Sequence, residues 1–240
     1  STPVRLLPPR TAAKMGDEES DYKISYYDKE TGELGEPGVW VSEPGKAKVE
    51  YASGDSYDGE FNDEKMKHGQ GIYTWMGEEN DDGERAVKAT YTGSYADGKR
   101  CGVGKMTFPN GDVYEGEWKD NKMNGEGLYK YKKGDIFSGT YVDGLKHGEN
   151  GTYEYGEDQS RLTGTWEKGN FLSGNWEFEG AGSYSGEFKG GKPAGKGKFT
   201  FVNGVAQEGE YAVPVAAEED EEPPEGEPTW KGNPVYTSVS

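Results

Sequence analysis

Apolar positions in this chain recur at every second residue, in short runs, and many of them are aromatic. The clearest run is Tyr114-Glu115-Gly116-Glu117-Trp118, then a polar loop, then Gly125-Glu126-Gly127-Leu128-Tyr129-Lys130-Tyr131. In an extended chain alternate residues share a face. Tyr114, Gly116 and Trp118 therefore fall on one side of a strand, and Glu115 and Glu117 fall on the other, toward water. Gly127, Tyr129 and Tyr131 share a face in the second strand. A glycine between two aromatics leaves a slot without a Cβ, and a ring from the adjoining strand is expected to fill it. The spacing predicts paired strands and an almost helix-free fold.

The run repeats. Units open at residues 57, 91, 114, 137, 162, 184 and 207, so the steps are 34, 23, 23, 25, 22 and 23. The first unit is marked by Tyr57, Gly59, Gly69 and Gly71, and the second by Tyr91, Gly93, Gly102 and Gly104. Tyr114, Gly116, Trp118, Gly125 and Gly127 mark the third, and Phe137, Gly139 and Gly148 the fourth. Gly164 and Trp166 mark the fifth, and Tyr184, Gly186, Gly195 and Gly197 the sixth. A last half unit carries Gly209 and Tyr211 and stops at Pro214. The long first step holds an insertion at about 76–88, with the acidic run Glu78-Glu79-Asn80-Asp81-Asp82, which reads as a protruding loop. Between units stand glycine turns: Ser53-Gly54-Asp55, Asn110-Gly111-Asp112, Lys133-Gly134-Asp135 and Asn203-Gly204. Positive φ at the glycine suits them to joining two strands. Stacking such hairpins gives an all-β fold: an elongated, twisted, single-layer antiparallel sheet with nearest-neighbour contacts. One hairpin alone would not be stable.

Composition agrees. Only 31% of the 240 residues are hydrophobic and the mean hydropathy is -1.02, yet there are 39 glycines, 17 Tyr, 8 Phe and 6 Trp. Wide rings covering one face of a thin sheet replace an aliphatic core. The net charge is -18, which disfavours nucleic acid and anionic membrane surfaces and favours protein partners. One cysteine, Cys101, excludes an intramolecular disulfide and suits a reducing compartment. The first residues lack the apolar stretch of a signal peptide, and no apolar run approaches membrane-spanning length. The chain reads as soluble and intracellular. Residues 1–25 read as a disordered or extended arm, 26–56 as a degenerate unit, 57–213 as the array, and 214–240 as an acidic, proline-containing tail.

The pattern Tyr-x-Gly-x-(Phe/Tyr/Trp), loop, Gly-x-Gly-x-aromatic at this period resembles the MORN repeat, in order across residues 57–211. A narrower resemblance lies in the C-terminal third. Leu162-Thr-Gly-Thr-Trp166 is followed by Asn175-Trp176, where the second glycine is missing. Tyr184-Ser-Gly-Glu-Phe188, Lys192 to Phe199 and Gln207-Glu-Gly-Glu-Tyr211 follow. This succession, with its acidic tail, is similar to the MORN-repeat subunits of the ciliary radial spoke head. The resemblance implies a cytoskeletal subunit of the axoneme that helps regulate motility, with other spoke-head subunits as partners and a second copy or paralogue as a further one.

Several motifs suggest chemistry and fail to support it. His68, Cys101, Asn124, His147, Ser173 and Ala194 all stand immediately before a glycine of the repeat. They are copies of one tolerant turn position, so no zinc site or nucleophile is expected among them. No glycine pair completes Gly-x-Gly-x-x-Gly, and in Gly190-Gly-Lys-Pro-Ala-Gly195-Lys196 a glycine, Gly197, stands where a hydroxyl should hold magnesium. Glu115, Glu117, Glu187, Glu208 and Glu210 recur at equivalent outward positions, as a solvated face does, with lysines such as Lys119 and Lys130 able to pair with them. Asn150-Gly151-Thr152 matches a glycosylation sequon but reads as a turn. No catalytic residue, metal or cofactor is expected. The rings are the core. Trp230, Val235 and Tyr236, beyond the acidic run 218–228, form a candidate docking segment.

Two classes of function follow. The first is a non-catalytic scaffold, with the spoke head as its specific case. The second is a membrane-associated adaptor that binds lipid head groups or a kinase.

Overall fold

The computed structural model describes residues 22–39, 41–212 and 228–235. They form sixteen strands: β1 (Tyr22–Tyr26), β2 (Gly45–Tyr51), β3 (Ser56–Phe61), β4 (Lys67–Glu79), β5 (Arg85–Ala96), β6 (Lys99–Thr107), β7 (Val113–Lys119), β8 (Lys122–Lys130), β9 (Ile136–Val142), β10 (Leu145–Glu154), β11 (Arg161–Glu167), β12 (Asn170–Phe178), β13 (Gly182–Lys189), β14 (Lys192–Phe201), β15 (Ala206–Ala212) and β16 (Thr229–Gly232). All lie in one open antiparallel sheet, each paired with its neighbours in sequence. There is no helix among the described residues. At about 4.8 Å per strand the sheet is roughly 70 Å across.

Two kinds of turn alternate. Within a unit the hairpin closes at Asp97-Gly98, Asp120-Asn121, Asp143-Gly144, Lys168-Gly169 or Gly190-Gly191, and φ is positive at both residues of each. That is the type I′ geometry, whose twist matches the strands. Between units the turn takes a different form: Phe108 N–H donates to Asp112 O (2.8 Å) and Gly111 N–H to Phe108 O (2.9 Å). Tyr51–Asp55, Tyr131–Asp135 and Phe201–Val205 repeat it.

A ring laid over two glycines forms the core of each regular unit. Gly116 faces Gly127 across β7 and β8, and the Tyr114 ring lies over both. A Cβ on Gly116 would stand 2.6 Å from the Tyr114 Oη, and one on Gly127 2.6 Å from its Cζ. The ring that fills the Gly116 slot thus belongs to the same strand, two residues earlier, and not to the adjoining strand as the sequence suggested. Alternation places Tyr114 on the glycine face, and lying flat lets it cover both. Tyr57, Tyr91 and Tyr184 do the same over Gly59/Gly71, Gly93/Gly104 and Gly186/Gly197. The hydroxyls of Tyr57, Tyr91 and Tyr114 donate to the carbonyls of Glu60, Ser94 and Glu117, at 3.0, 3.1 and 2.9 Å. Successive rings meet edge to face, as in Tyr91–Trp118, Trp118–Tyr114 and Tyr114–Tyr141, with centroids 5.2–5.3 Å apart. Each such pair contributes about 0.5–1.5 kcal/mol beyond its buried area.

The first glycine of each pair has another role. Gly69, Gly102 and Gly195 have φ of +60°, +56° and +60°, and the β3–β4, β5–β6 and β13–β14 registers slip beside them. They sit at bulges that a left-handed residue permits. His68, Cys101, His147, Ser173 and Ala194 are therefore strand residues flanking a bulge, not turn residues, facing Glu60, Ser94, Thr140, Thr165 and Glu187. In the fourth unit the irregularity spans His147 to Thr152. There Gly151, read from sequence as part of a turn, is the repeat's second glycine and abuts Gly139, with Phe137 and Trp166 against it. In the fifth unit Gly174 faces Gly164 directly.

Three boundaries differ from the sequence reading. The first hairpin begins at Tyr22, inside the segment assigned to the arm; residues 1–21 lie outside the described ones. Its sequence departs from the repeat because Tyr26 faces Ala47 where other units have two glycines, and Ile24 stands where they open with a ring. The insertion at 76–88 is not a loop. β4 and β5 continue through it and only residues 80–84 turn. Asn80 caps that turn through the Asp82 and Glu84 N–H groups, while Arg85 pairs with Glu79 at 3.3 Å and donates to Ser53 O. Finally, the array does not stop at Pro214. β16 pairs with β15 as Gly209↔Gly232 and Tyr211↔Trp230, matching Gly116↔Gly127 and Trp118↔Met123 of the third unit. The tail completes the seventh unit.

Candidate functional site

The aromatic face is the part of the molecule that stays chemically unfinished. Its first row of rings, including Tyr57, Tyr91, Tyr114, Phe137 and Tyr184, is fully buried. A second row, Tyr51, Tyr73, Trp75, Phe108, Tyr129, Tyr131, Tyr155, Trp176 and Phe199, is only partly buried. These rings stand at the far ends of the second strands, where no further layer covers them.

Two sets of polar residues organise this face, and neither was read from the sequence. The first is the aspartate that closes three of the inter-unit turns. Asp112, only 7% exposed, accepts from the Tyr129 hydroxyl (2.8 Å) and the Lys132 N–H (2.8 Å) of the next turn. Asp135 does the same for Tyr153 and Gly156 N–H, and Asp55 for Tyr73 and Met76 N–H. Burial pushes the Asp112 carboxyl up, but the Lys132 N–H, the Tyr129 hydroxyl and the Asn110 amide together hold it below the usual carboxylate range. Asp135 is held low similarly: burial raises it, and Lys133, Tyr153 and the Gly156 N–H outweigh that. Each aspartate fastens one unit to the next.

The second set stands near the start of each second strand, just past the turn within the unit and opposite the second aromatic of the first strand. Lys67, Arg100 and Lys146 occupy that place across from Phe61, Tyr95 and Tyr141. Lys146 Nζ lies 4.3–5.4 Å from the centroids of Tyr131, Phe137, Tyr153 and Trp166. Lys67 Nζ lies 4.3–5.4 Å from Tyr51, Tyr57 and Tyr73, and Arg100 lies over Tyr91 and Trp118. Burial pulls both lysine amines down to about 8, while the ring faces attract the ammonium form. Met123, Phe171 and Pro193 hold the same place opposite Trp118, Trp166 and Phe188. The aromatic face of a strongly acidic chain thus carries a row of cations.

The opposite face is solvated. Glu115 pairs with Lys105 at 3.5 Å, whereas Lys119 faces Lys122 and Lys130 faces Val113 and Ile136, so the proposed partners of the glutamates are not the ones used. Along the turn edge Lys99 meets Asp120 (2.7 Å) and Lys122 meets Asp143 (3.0 Å). The recurring glutamates and the histidines are spread along the array and not gathered. Among the described residues no group of three or more His, Cys, Asp and Glu is placed to hold a metal. Of the docking segment, Trp230 packs on Tyr211 and Phe199 with centroids 5.1 and 5.0 Å away. Val235 is exposed, and Tyr236 lies outside the described residues.

The family model of the MORN repeat matches residues 57–76, 91–113, 114–136, 137–156 and 184–205. These strands are MORN repeats. The matches coincide with units one to four and six, where an aromatic ring opens the first strand. The fifth, which opens with Leu162, the seventh, which opens with Gln207, and the hairpin β1–β2 fall outside them. MORN repeats point to a repeat-based interaction scaffold, and the open aromatic face suits one. No curated protein matches the chain. Among solved structures, the wild-type TCP10 domain of Danio rerio CPAP is similar over 78% of this chain and 88% of that one, at 14% identity and a TM-score of 0.34. The same domain in complex with a peptide of Danio rerio STIL aligns over 68% and 77%, at 12% identity and a TM-score of 0.34. At those scores the likeness extends to no shared function.

Proposed function

We propose that this MORN array is a non-catalytic scaffold subunit of a larger assembly, the axonemal radial spoke head in particular. There it contributes to control of ciliary motility. The observation that carries the scaffold reading is the partly buried second row of rings, interleaved with Lys67, Arg100 and Lys146. Such a surface takes up apolar and acidic side chains of a protein partner. The spoke head as the specific assembly rests on the order of units in the C-terminal third and on the acidic tail. In that setting the protein localises to the axoneme, and its partners are other spoke-head subunits.

A mild pull-down from ciliary extract with mass spectrometry tests the specific reading. Recovery of spoke-head subunits supports it, and their absence refers the scaffold to another assembly. Co-sedimentation with acidic liposomes at physiological salt tests the competing adaptor role. Tight binding there replaces the proposal, because a chain of net charge -18 should be repelled.

A further inference from the structure

Within the first six units, five hairpins close through two residues, and the β3–β4 turn takes five, residues 62–66. In the seventh, Ala212 and Thr229 face each other directly, yet 16 residues of sequence separate them. Seven of these are acidic and none is basic. Sixteen residues can span about 55 Å when extended, although the paired ends stand only about 5 Å apart.

β16 is also self-sufficient as a recognition element. The Trp230 ring lies against Tyr184, Phe199 and Tyr211, with centroids at 6.1, 5.0 and 5.1 Å. Its Nε1–H donates to Gln207 Oε1 at 3.3 Å, and Gln207 Nε2 donates to Asn233 O at 3.0 Å. Asn233 N–H reaches Glu208 O at 2.7 Å. The Trp230 ring fills the slot over Gly209, and Gln207 fills the one over Gly232. Every one of these contacts is made to β15 or to rings behind it, and none requires the connection. With four residues, β16 is far shorter than β14, with ten.

We propose that β16 is an exchangeable strand, and that the β15 edge accepts β16 from a second copy of this chain to give a reciprocal two-fold dimer. The acceptor contacts are the same whichever copy supplies the strand, which is the condition under which swapping costs little. The tether favours the intrachain form in dilute solution, and exchange gains as chain concentration approaches the effective concentration of a tethered strand, about 1 mM. Two copies held side by side in any assembly meet that condition, so the inference stands apart from the spoke-head reading.

The test uses full-length chains in which Cys101 is replaced by Ser. One carries Glu210→Cys and the other Lys231→Cys, the residues that face each other across β15 and β16. A disulfide between these two positions can form only between chains. The expected result is heterodimer several-fold above that from a control pair, Glu210→Cys with Lys130→Cys, and rising with concentration. Trp230→Ala in the strand donor should return it to the control level. So should replacement of residues 213–228 by Asn-Gly in both chains, which locks the hairpin as in the other units. Heterodimer no greater than the control, or unchanged by either variant, overturns the proposal.

Discussion

At the centre of β7 and β8 Gly116 faces Gly127, and the Tyr114 ring lies across both. At the same place in β1 and β2 Tyr26 faces Ala47, and Ile24 stands where Tyr114 stands, opposite Val49; Ile24, Ala47 and Val49 are buried. At the start of β1 the Tyr22 hydroxyl accepts the Val41 N–H at 3.2 Å. Tyr26 turns outward, accepting the Ser42 N–H and donating to the Glu43 carbonyl. The two hairpins fill one volume in two ways: a flat ring over two glycines, or a short aliphatic side chain, Ile24, in the ring's place beside Ala47, with the Tyr26 ring sent outward. The glycines of the repeat thus matter because of the ring they admit: where Ile24 replaces that ring, neither glycine is needed.

The comparison can be broken most forcefully by mixing the two solutions. Gly127→Val should destabilise by about 3 kcal/mol or more, since the Tyr114 ring has nowhere to move, and Gly116→Val by a similar amount. Urea melts measure it; a loss below 1 kcal/mol would mean that the ring relocates freely. Next in size, Ile24→Gly should cost about 2–4 kcal/mol through the void it leaves, read by the same melts. A sharper form transplants the first hairpin's solution whole. Tyr114→Ile with Gly116→Tyr, Gly127→Ala and Tyr129→Val should recover more than about 1 kcal/mol relative to the sum of its parts, because the sites couple. Strict additivity would contradict the account.

Smaller effects test the fastening between units. Asp112→Ala should cost about 1–3 kcal/mol by leaving the Tyr129 hydroxyl and the Lys132 N–H without their acceptor. Because the folded-state carboxyl titrates below its unfolded value, its contribution is complete above about pH 4 and fades as pH falls through the lower folded value. A melt series from pH 7 to 2 should show the wild type losing stability in that acid range faster than Asp112→Ala. Least of all, Glu115→Gln should change stability by no more than about 0.5 kcal/mol, since its partner Lys105 is as exposed as it is.

Alternation and turn glycines were enough to read the sheet, its single layer and the order of its units. What escaped the reading escaped for physical reasons. The spacing of Tyr114 and Gly116 shows that they share a face, but not that the ring lies flat along its own strand. Gly151 was missed because a wide bulge puts extra residues between it and Gly148. Ile24, where other units open with a ring, and Ala47, where they carry a glycine, look like ordinary strand residues, and β16 is separated from its partner by the acidic run. The acidic character of 76–88 obscured strands that continue through it. Lys67, Arg100 and Lys146 did leave a signal: each stands two residues before the first glycine of its pair. Attention to the position one nearer, where His68 and Cys101 sit, concealed it.

Because every strand pairs only with its neighbours in sequence, the two ends of the sheet, β1 and β16, are joined by a single series of ladders. Tension applied between these ends passes in full through every ladder, across the strands, so the weakest ladder opens first and its hydrogen bonds are peeled and not sheared together. The array should therefore yield at low force in unit-sized steps and shorten again as each hairpin closes. Fixed at both ends inside an assembly, it would act as a compliant link, with a rest length set by the number of units.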